Sequence, residues 1–181
     1  MAVVDLTGKG YEGKMHLPRV LVLDANKFFL NNLSGLCGNK TPLIMNGCEL
    51  VPIRHKEKDW IDTGLDKTLT LDPSIRTMTA EEVVNYATDP ANRIHGILSY
   101  YQHEDERYGW LLPRLIGSRL PVAVQTVSGI INDGVGDEVV KLAGAIGMFE
   151  KTDMAKEDPK LSGLRAVADA IDRQQDHVRQ N

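Results

Sequence analysis

Apolar and polar positions alternate between two periods along this chain, and the switches between them mark out its elements. Arg19-Val20-Leu21-Val22-Leu23-Asp24 is an apolar run that stops at an acid, the pattern of a strand covered on both faces. Residues 26–36 then place Phe28, Phe29, Leu33 and Leu36 at helical spacing, and Gly38 ends the helix. Pro42-Leu43-Ile44-Met45, Asn46-Gly47 and Cys48-Glu49-Leu50-Val51 predict a hairpin, because Asn-Gly tolerates the positive φ angles of a tight turn. Residues 56–64 read as loop, and Thr68-Leu69-Thr70-Leu71 alternates like a half-exposed strand. Thr79-Ala80-Glu81-Glu82 is a capping box. Ala80, Val83, Val84 and Ala87 give the helix that follows an apolar stripe, which Asp89-Pro90 stops. His95-Gly96-Ile97-Leu98-Ser99-Tyr100 predicts a further strand, with a charged loop over residues 101–107 at its C-terminal end. Trp110, Leu111, Leu112, Leu115 and Ile116 predict a helix in which Pro113 is either a kink or a first-turn residue.

The clearest unit is residues 120–151. Leu120-Pro-Val-Ala-Val-Gln-Thr126 reads as a buried strand ending in a hydroxyl, and residues 145–151 as another, entered through Gly144 and closing on Lys151. Between them lie turn residues (Ser128, Gly129, Asn132, Asp133, Gly134) and a helix with Val135, Val139, Val140 and Leu142 on one face. Strand, helix and strand at this length make a right-handed βαβ unit, which brings Thr126 and Lys151 to the same sheet edge. Asp158-Pro159 starts a last helix with Leu161, Leu164, Val167, Ala168 and Ile171 facing inward, and residues 173–181 read as a polar tail. Five strands alternating with helices predict a doubly wound α/β sheet of order 2-1-3-4-5. A hairpin-and-loop insertion, at about residues 39–66, follows its first helix, and residues 1–18 form a loosely held leader. Open sheets of this kind bind at the C-terminal edge of their strands.

Composition narrows the function classes. Of 181 residues, 42% are hydrophobic and 25% charged, which suits one globular domain. Net charge is −4 and the 21 basic residues are scattered, against the basic patch that a nucleic-acid surface needs. Cys37 and Cys48 lack histidines at zinc-like spacing and read as buried thiols. No apolar run approaches the roughly 20 residues that cross a bilayer, and the N-terminal residues carry Asp5, Lys9, Glu12 and Lys14 without a hydrophobic signal core. A reducing cytoplasm is the expected compartment.

The order of motifs resembles the receiver domain of two-component response regulators, a flavodoxin-like fold, over residues 19–172. The resemblance rests on Val-Leu-Val-Leu-Asp24, Leu-Pro-Val-Ala-Val-Gln-Thr126 and Gly144-Ala-Ile-Gly-Met-Phe-Glu-Lys151. In that family an aspartate ending the third strand takes a phosphoryl group, and an acidic pair after the first strand holds Mg²⁺. A threonine and a lysine contact the phosphoryl oxygens. Here the second metal-binding acid falls at Ala25 and the phosphoacceptor at Tyr100. Magnesium relies on carboxylates, so Asp24 alone is a poor site. A phenol, with an ordinary pKa of about 10, replaces a carboxylate nucleophile poorly. Met148 stands where the family has an aromatic switch residue, Phe149 points the other way, and Thr152 replaces the proline after the lysine. The resemblance implies a degenerate receiver whose pocket is Asp24, Ala25, Tyr100, Thr126 and Lys151, with no catalytic residue, metal or cofactor.

These residues also have plain structural readings. Asp24 can cap the first helix or pair with Lys151, Thr126 can be a strand-end hydrogen-bonder, and the Tyr100 hydroxyl needs a partner among Asp24, Thr126 and Lys151. His95 and His103 read as solvated or core-satisfied. The function expected is a phosphorylation-independent signalling or scaffolding module that acts through protein partners and not as an enzyme. One candidate partner is a second copy, meeting through the face that the family uses to dimerise. In this chain that face would be helix Val135–Leu142, strand 145–151 and helix 159–171, with Val135, Val139, Met148, Phe149, Leu164 and Val167 as its contact residues. Two alternatives stay open. Asp24, Asn26, Thr126 and Lys151 resemble a degenerate Mg²⁺-dependent phosphatase of the haloacid-dehalogenase type, and Asp24-Ala25-Asn26 resembles a PIN-type nuclease. A small-molecule sensor using the same crevice is the other.

Overall fold

The computed structural model describes residues 17–100, 111–126 and 135–180. Thirteen elements follow in order: β1 Arg19–Asp24, α1 Lys27–Leu36, β2 Ile44–Met45, β3 Cys48–His55, α2 Gly64–Thr68, β4 Arg76–Met78, α3 Ala80–Thr88, β5 Ile94–Tyr100, α4 Leu111–Gly117, β6 Val122–Thr126, α5 Val135–Leu142, β7 Met148–Glu150 and α6 Gly163–Gln180. The sheet runs β2-β3-β1-β5-β6-β7, with β4 against β3, and every pairing is parallel except β2 with β3. Within it β3-β1-β5-β6-β7 follow the doubly wound 2-1-3-4-5 pattern, and β2 and β4, both against β3, make the order differ slightly from the five-stranded one expected.

Strand alternation builds two cores. Val20 and Val22 of β1, Leu50 of β3, Leu98 of β5 and Ala123 of β6 pack under α1 and α6 with Leu30, Leu33, Leu164 and Val167. Leu21, Leu23, Ile53 and Ile97 face the opposite layer with Val83 and Ala87 of α3 and Leu115 of α4. Val124, Val140 and Met148 continue that layer under α5. Each fully buried aliphatic chain contributes about 1.5–3 kcal/mol. Gly96 leaves room for α6: a Cβ there would lie 2.4 Å from Val167 Cγ1.

Local signals explain most element ends. The Asn26 side chain caps α1 by accepting from the Phe29 N–H at 2.9 Å. Thr79 and Glu82 form the reciprocal capping box of α3. Asn46 and Gly47 take φ values of 49° and 73° between β2 and β3, as the hairpin requires.

Four expectations need correction. The hairpin at 39–66 is not an insertion: its second arm, Cys48–His55, is the sheet's second long parallel strand, pairing along all of β1. Pro52 obscures this, yet it falls between the stretches paired to β2 and to β4, where no ladder hydrogen bond is required of it. Thr68–Leu71 forms no strand, since Thr68 ends α2 and extended loop follows. The added segment instead lies between β3 and β4. Finally, the last helix starts at Gly163, not at Asp158-Pro159, and runs on through Arg173–Gln180 as a solvent-facing extension of α6. The leader over residues 1–16, the loop with His103 and Trp110, and the turn Ser128–Gly134 lie outside the described residues.

Candidate functional site

The C-terminal ends of β1, β3, β5, β6 and β7 bring Asp24, Arg54, His55, Tyr100, Gln125 and Thr126 to one rim, with Lys151 following β7 directly. Register places Asp24 beside Arg54, and Gln125 between Tyr100 and Phe149.

Asp24 and Lys151 meet. The ammonium lies 2.6 Å from Asp24 Oδ2, in a pair where the acid is 1% and the lysine 17% exposed. Asp24 Oδ1 accepts the Asn26 N–H at 2.9 Å, so the acid also braces the entry to α1. The lysine Nζ stands 5.0 Å above the Phe29 ring, a cation–π contact. Burial pushes the Asp24 carboxyl above the usual carboxylate range, and Lys151 opposes that shift.

Tyr100 turns elsewhere. Its hydroxyl lies 2.6 Å from His55 Nδ1, not at Asp24, Thr126 or Lys151. His55 is fully buried, and its Nε2 lies 3.0 Å from Glu57 Oε1, which also accepts the Ala80 N–H of α3 at 2.7 Å. Burial lowers the His55 pKa against the opposing pull of Glu57. A neutral ring then satisfies both neighbours, accepting from the phenol at Nδ1 and donating to the carboxylate at Nε2. Burial pushes the Glu57 carboxyl up, but the His55 and Ala80 donors outweigh it and leave it below the ordinary range.

Thr126 is buried, yet alternation aligns it with Val124, on the α5 side of the sheet and away from Asp24. Ala25 supplies only backbone groups: its N–H donates to the Asp24 carboxylate, and its carbonyl accepts from Arg54 Nε at 3.0 Å. The four side chains expected to converge are therefore one ion pair, one tyrosine drawn to β3, and one threonine on the other face. On the expected interaction face, Met148, Leu164 and Val167 are core residues, because they fill the layers under α5 and α6. Phe149 is half-buried and packs against the α1/α6 core, opposite to Met148. Val139 is exposed, and the Val135 side chain lies outside the described residues. His95 accepts the Arg19 N–H at 3.0 Å, a structural role.

Sequence reasoning missed five residues. Arg54, His55 and Glu57 were hidden by reading residues 39–66 as an insertion; the alternation Val51, Ile53, His55 was the available signal. Gln125 is fully buried at the end of β6, and its Nε2 has no hydrogen-bond partner among the described residues. Asp62, in the loop after β3, accepts from Arg54, Lys27 and Lys56 at 2.5, 2.8 and 3.1 Å. Among the described residues no group of three or more His, Cys, Asp or Glu side chains is placed to hold a metal ion, and no helix is long and apolar enough to cross a membrane.

No family model and no curated protein matches the chain. Solved structures do. The signal receiver domain of a modulated diguanylate cyclase from Desulfovibrio desulfuricans G20 superposes with a TM-score of 0.51 at 16% identity, covering 87% of this chain and 98% of that one. The chain has a receiver-like fold. The RcsB response regulator of Salmonella typhimurium (TM-score 0.43, 13% identity, 81% of this chain and 58% of that one) is also similar. So is the homoserine dehydrogenase of S. aureus (0.38, 9%, 74% and 32%). Laid on the receiver fold, Asp24 ends the first strand and Tyr100 the third, with Thr126 on the fourth and Lys151 just past the fifth. The magnesium site of receivers does not fit these residues. Among the described residues, Asp24 has Lys151 on one oxygen, Ala25 offers no side-chain oxygen, and Tyr100 is turned to His55.

Proposed function

We propose that this chain is a pseudo-receiver, a signalling or scaffolding module that works through protein contacts without being phosphorylated, and that it is not an enzyme. The observation carrying this reading is the 2.6 Å Lys151–Asp24 pair. The lysine that would meet a phosphoryl group neutralises the acid that would help hold the cation. The Tyr100–His55–Glu57 chain supports it, because it engages the residue at the phosphoacceptor position. Exposed Val139 and Leu142 on α5 support a contact role for that helix, with a second copy or another protein as partner. The two buried free thiols suit a reducing cytoplasm.

Magnesium affinity is the direct test. Titration of Mg²⁺ into ¹⁵N-labelled protein is expected to leave the Asp24 and Asn26 amides unmoved up to millimolar concentrations. Saturable shifts at those amides, abolished by Asp24→Asn, would refute the reading.

A further inference from the structure

A second cluster at the rim lies beside the α1 entry, and its charged side chains are not those of the receiver pocket. Arg54 at the end of β3, Lys56 just beyond it and Lys27, the first residue of α1, all point at one carboxylate. Arg54 and Lys27 are only 7% and 11% exposed, so they are not ordinary solvated surface charges. Desolvated cations in such proximity repel one another and require an anion among them. Asp62 supplies it, and Asp66 assists from 3.8 Å. Three positive groups facing two carboxylates still leave an excess of one positive charge.

The cations and the anion are held very differently. Arg54 is fixed by β3, with its Nε on the Ala25 carbonyl at 3.0 Å. Lys27 is fixed by α1, with its Nζ also on the Asp66 and Leu69 carbonyls at 2.7 and 3.0 Å. Asp62 sits in a stretch without regular structure, next to Ile61, which is 84% exposed, and before α2, which buries no residue. Among the described residues, apart from Trp60, whose ring packs 5.6 Å from that of His55, little apolar surface holds this loop down. The Asp62 stretch is tied by its ion pairs to Arg54, Lys27 and Lys56, and the segment after it by the bonds of Lys27 to Asp66 and Leu69.

We propose that Arg54, Lys27 and Lys56 form a binding site for a tetrahedral oxyanion of the phosphate class, which Asp62 occupies as a resident stand-in. A guanidinium and two ammonium groups match the several oxygens of such an anion better than the two of one carboxylate. The loop bearing Asp62 is the part that gives way. The ligand is bound without covalent chemistry, so the site is independent of whether Tyr100 or Asp24 can be modified.

The test titrates inorganic phosphate and, separately, O-phosphoserine into the wild type, Asp62→Asn and Asp62→Asn/Arg54→Gln at low ionic strength, followed by ¹⁵N shifts at Lys27, Arg54 and Lys56. Asp62→Asn is expected to bind phosphate at least about tenfold more tightly than the wild type, a gap of about 1.4 kcal/mol. The double variant is expected to lose that gain. Phosphoserine binding as tightly as phosphate supports an esterified ligand; binding of phosphate alone supports a free ion. Equal affinity in the wild type and Asp62→Asn, or an unchanged affinity in the double variant, overturns the proposal. If Asp62→Asn does not fold, Lys56→Gln serves instead. Phosphate-specific shifts at Arg54 should weaken relative to the wild type, and undiminished shifts overturn the proposal equally.

Discussion

Lys151 does for Asp24 what water cannot do at a buried site. With the acid enclosed, Lys151→Met leaves an uncompensated carboxylate and is expected to cost about 3–5 kcal/mol at neutral pH. The sign of its pH dependence follows from burial. A carboxyl whose folded pKa is raised binds its proton more tightly folded than unfolded, so stability falls as pH rises from the ordinary carboxylate range through the raised value. In Lys151→Met, which removes the opposing cation, urea midpoints should therefore climb as pH is lowered from 7 towards 5, more steeply than in the wild type; parallel profiles would contradict this. Gln125 makes the reverse case. Its orphaned amide donor has a desolvation cost without a compensating bond, so Gln125→Met is expected to stabilise by about 1 kcal/mol in urea unfolding. A loss of stability would mean that the amide has a partner after all. Neither effect was legible in the sequence. Asp24 at a strand end was plain, but burial and the missing partner of Gln125 depend on what neighbouring strands place around them.

At the scale of elements, the parallel layer was readable because β1, β5 and β6 are apolar runs ended by polar residues, and α3 carries its own capping box. β3 was not, because Pro52 interrupts its pattern and the preceding Asn-Gly invited a self-contained hairpin. That one assignment concealed His55, Glu57 and the Arg54–Asp62 cluster, since residues in an insertion have no reason to reach the sheet rim. Packing between elements makes its own prediction. Gly96→Ala pushes a methyl against Val167 and Ile171 of α6 and is expected to destabilise by about 1–3 kcal/mol, visible as a lower thermal midpoint. The loop after β3 makes another. Hydrogen bonds from Arg54, then Lys27 and Lys56, hold the Asp62 carboxyl well below the usual range. A depressed folded pKa contributes stability that is present above the unfolded value of about 3.9 and lost as pH falls below it. The stability difference between wild type and Asp62→Asn should therefore be constant from pH 7 to 5 and shrink below about pH 4. A difference independent of pH would dissociate Asp62 from the cations.

Across the whole molecule, a receiver-like frame carries three polar assemblies along its rim. Lys151 closes on Asp24, Tyr100 is tied through His55 and Glu57 to the start of α3, and three cations gather around Asp62. The sequence marked Ala25 and Tyr100 as departures from the receiver pattern, because the residue type at a motif position is visible in the letters. The Asp24–Lys151 pair was legible as one reading of two strand-end charges, and the structure forms it; the His55–Tyr100 contact was not, because it joins distant residues through a strand that the sequence disguised. The most direct check on a pocket closed to phosphoryl transfer is incubation of the full chain with acetyl phosphate and Mg²⁺, followed by intact-mass measurement. The protein should emerge with its mass unchanged. An acid-labile phosphate on any residue, and above all one that disappears in Asp24→Asn, would contradict it.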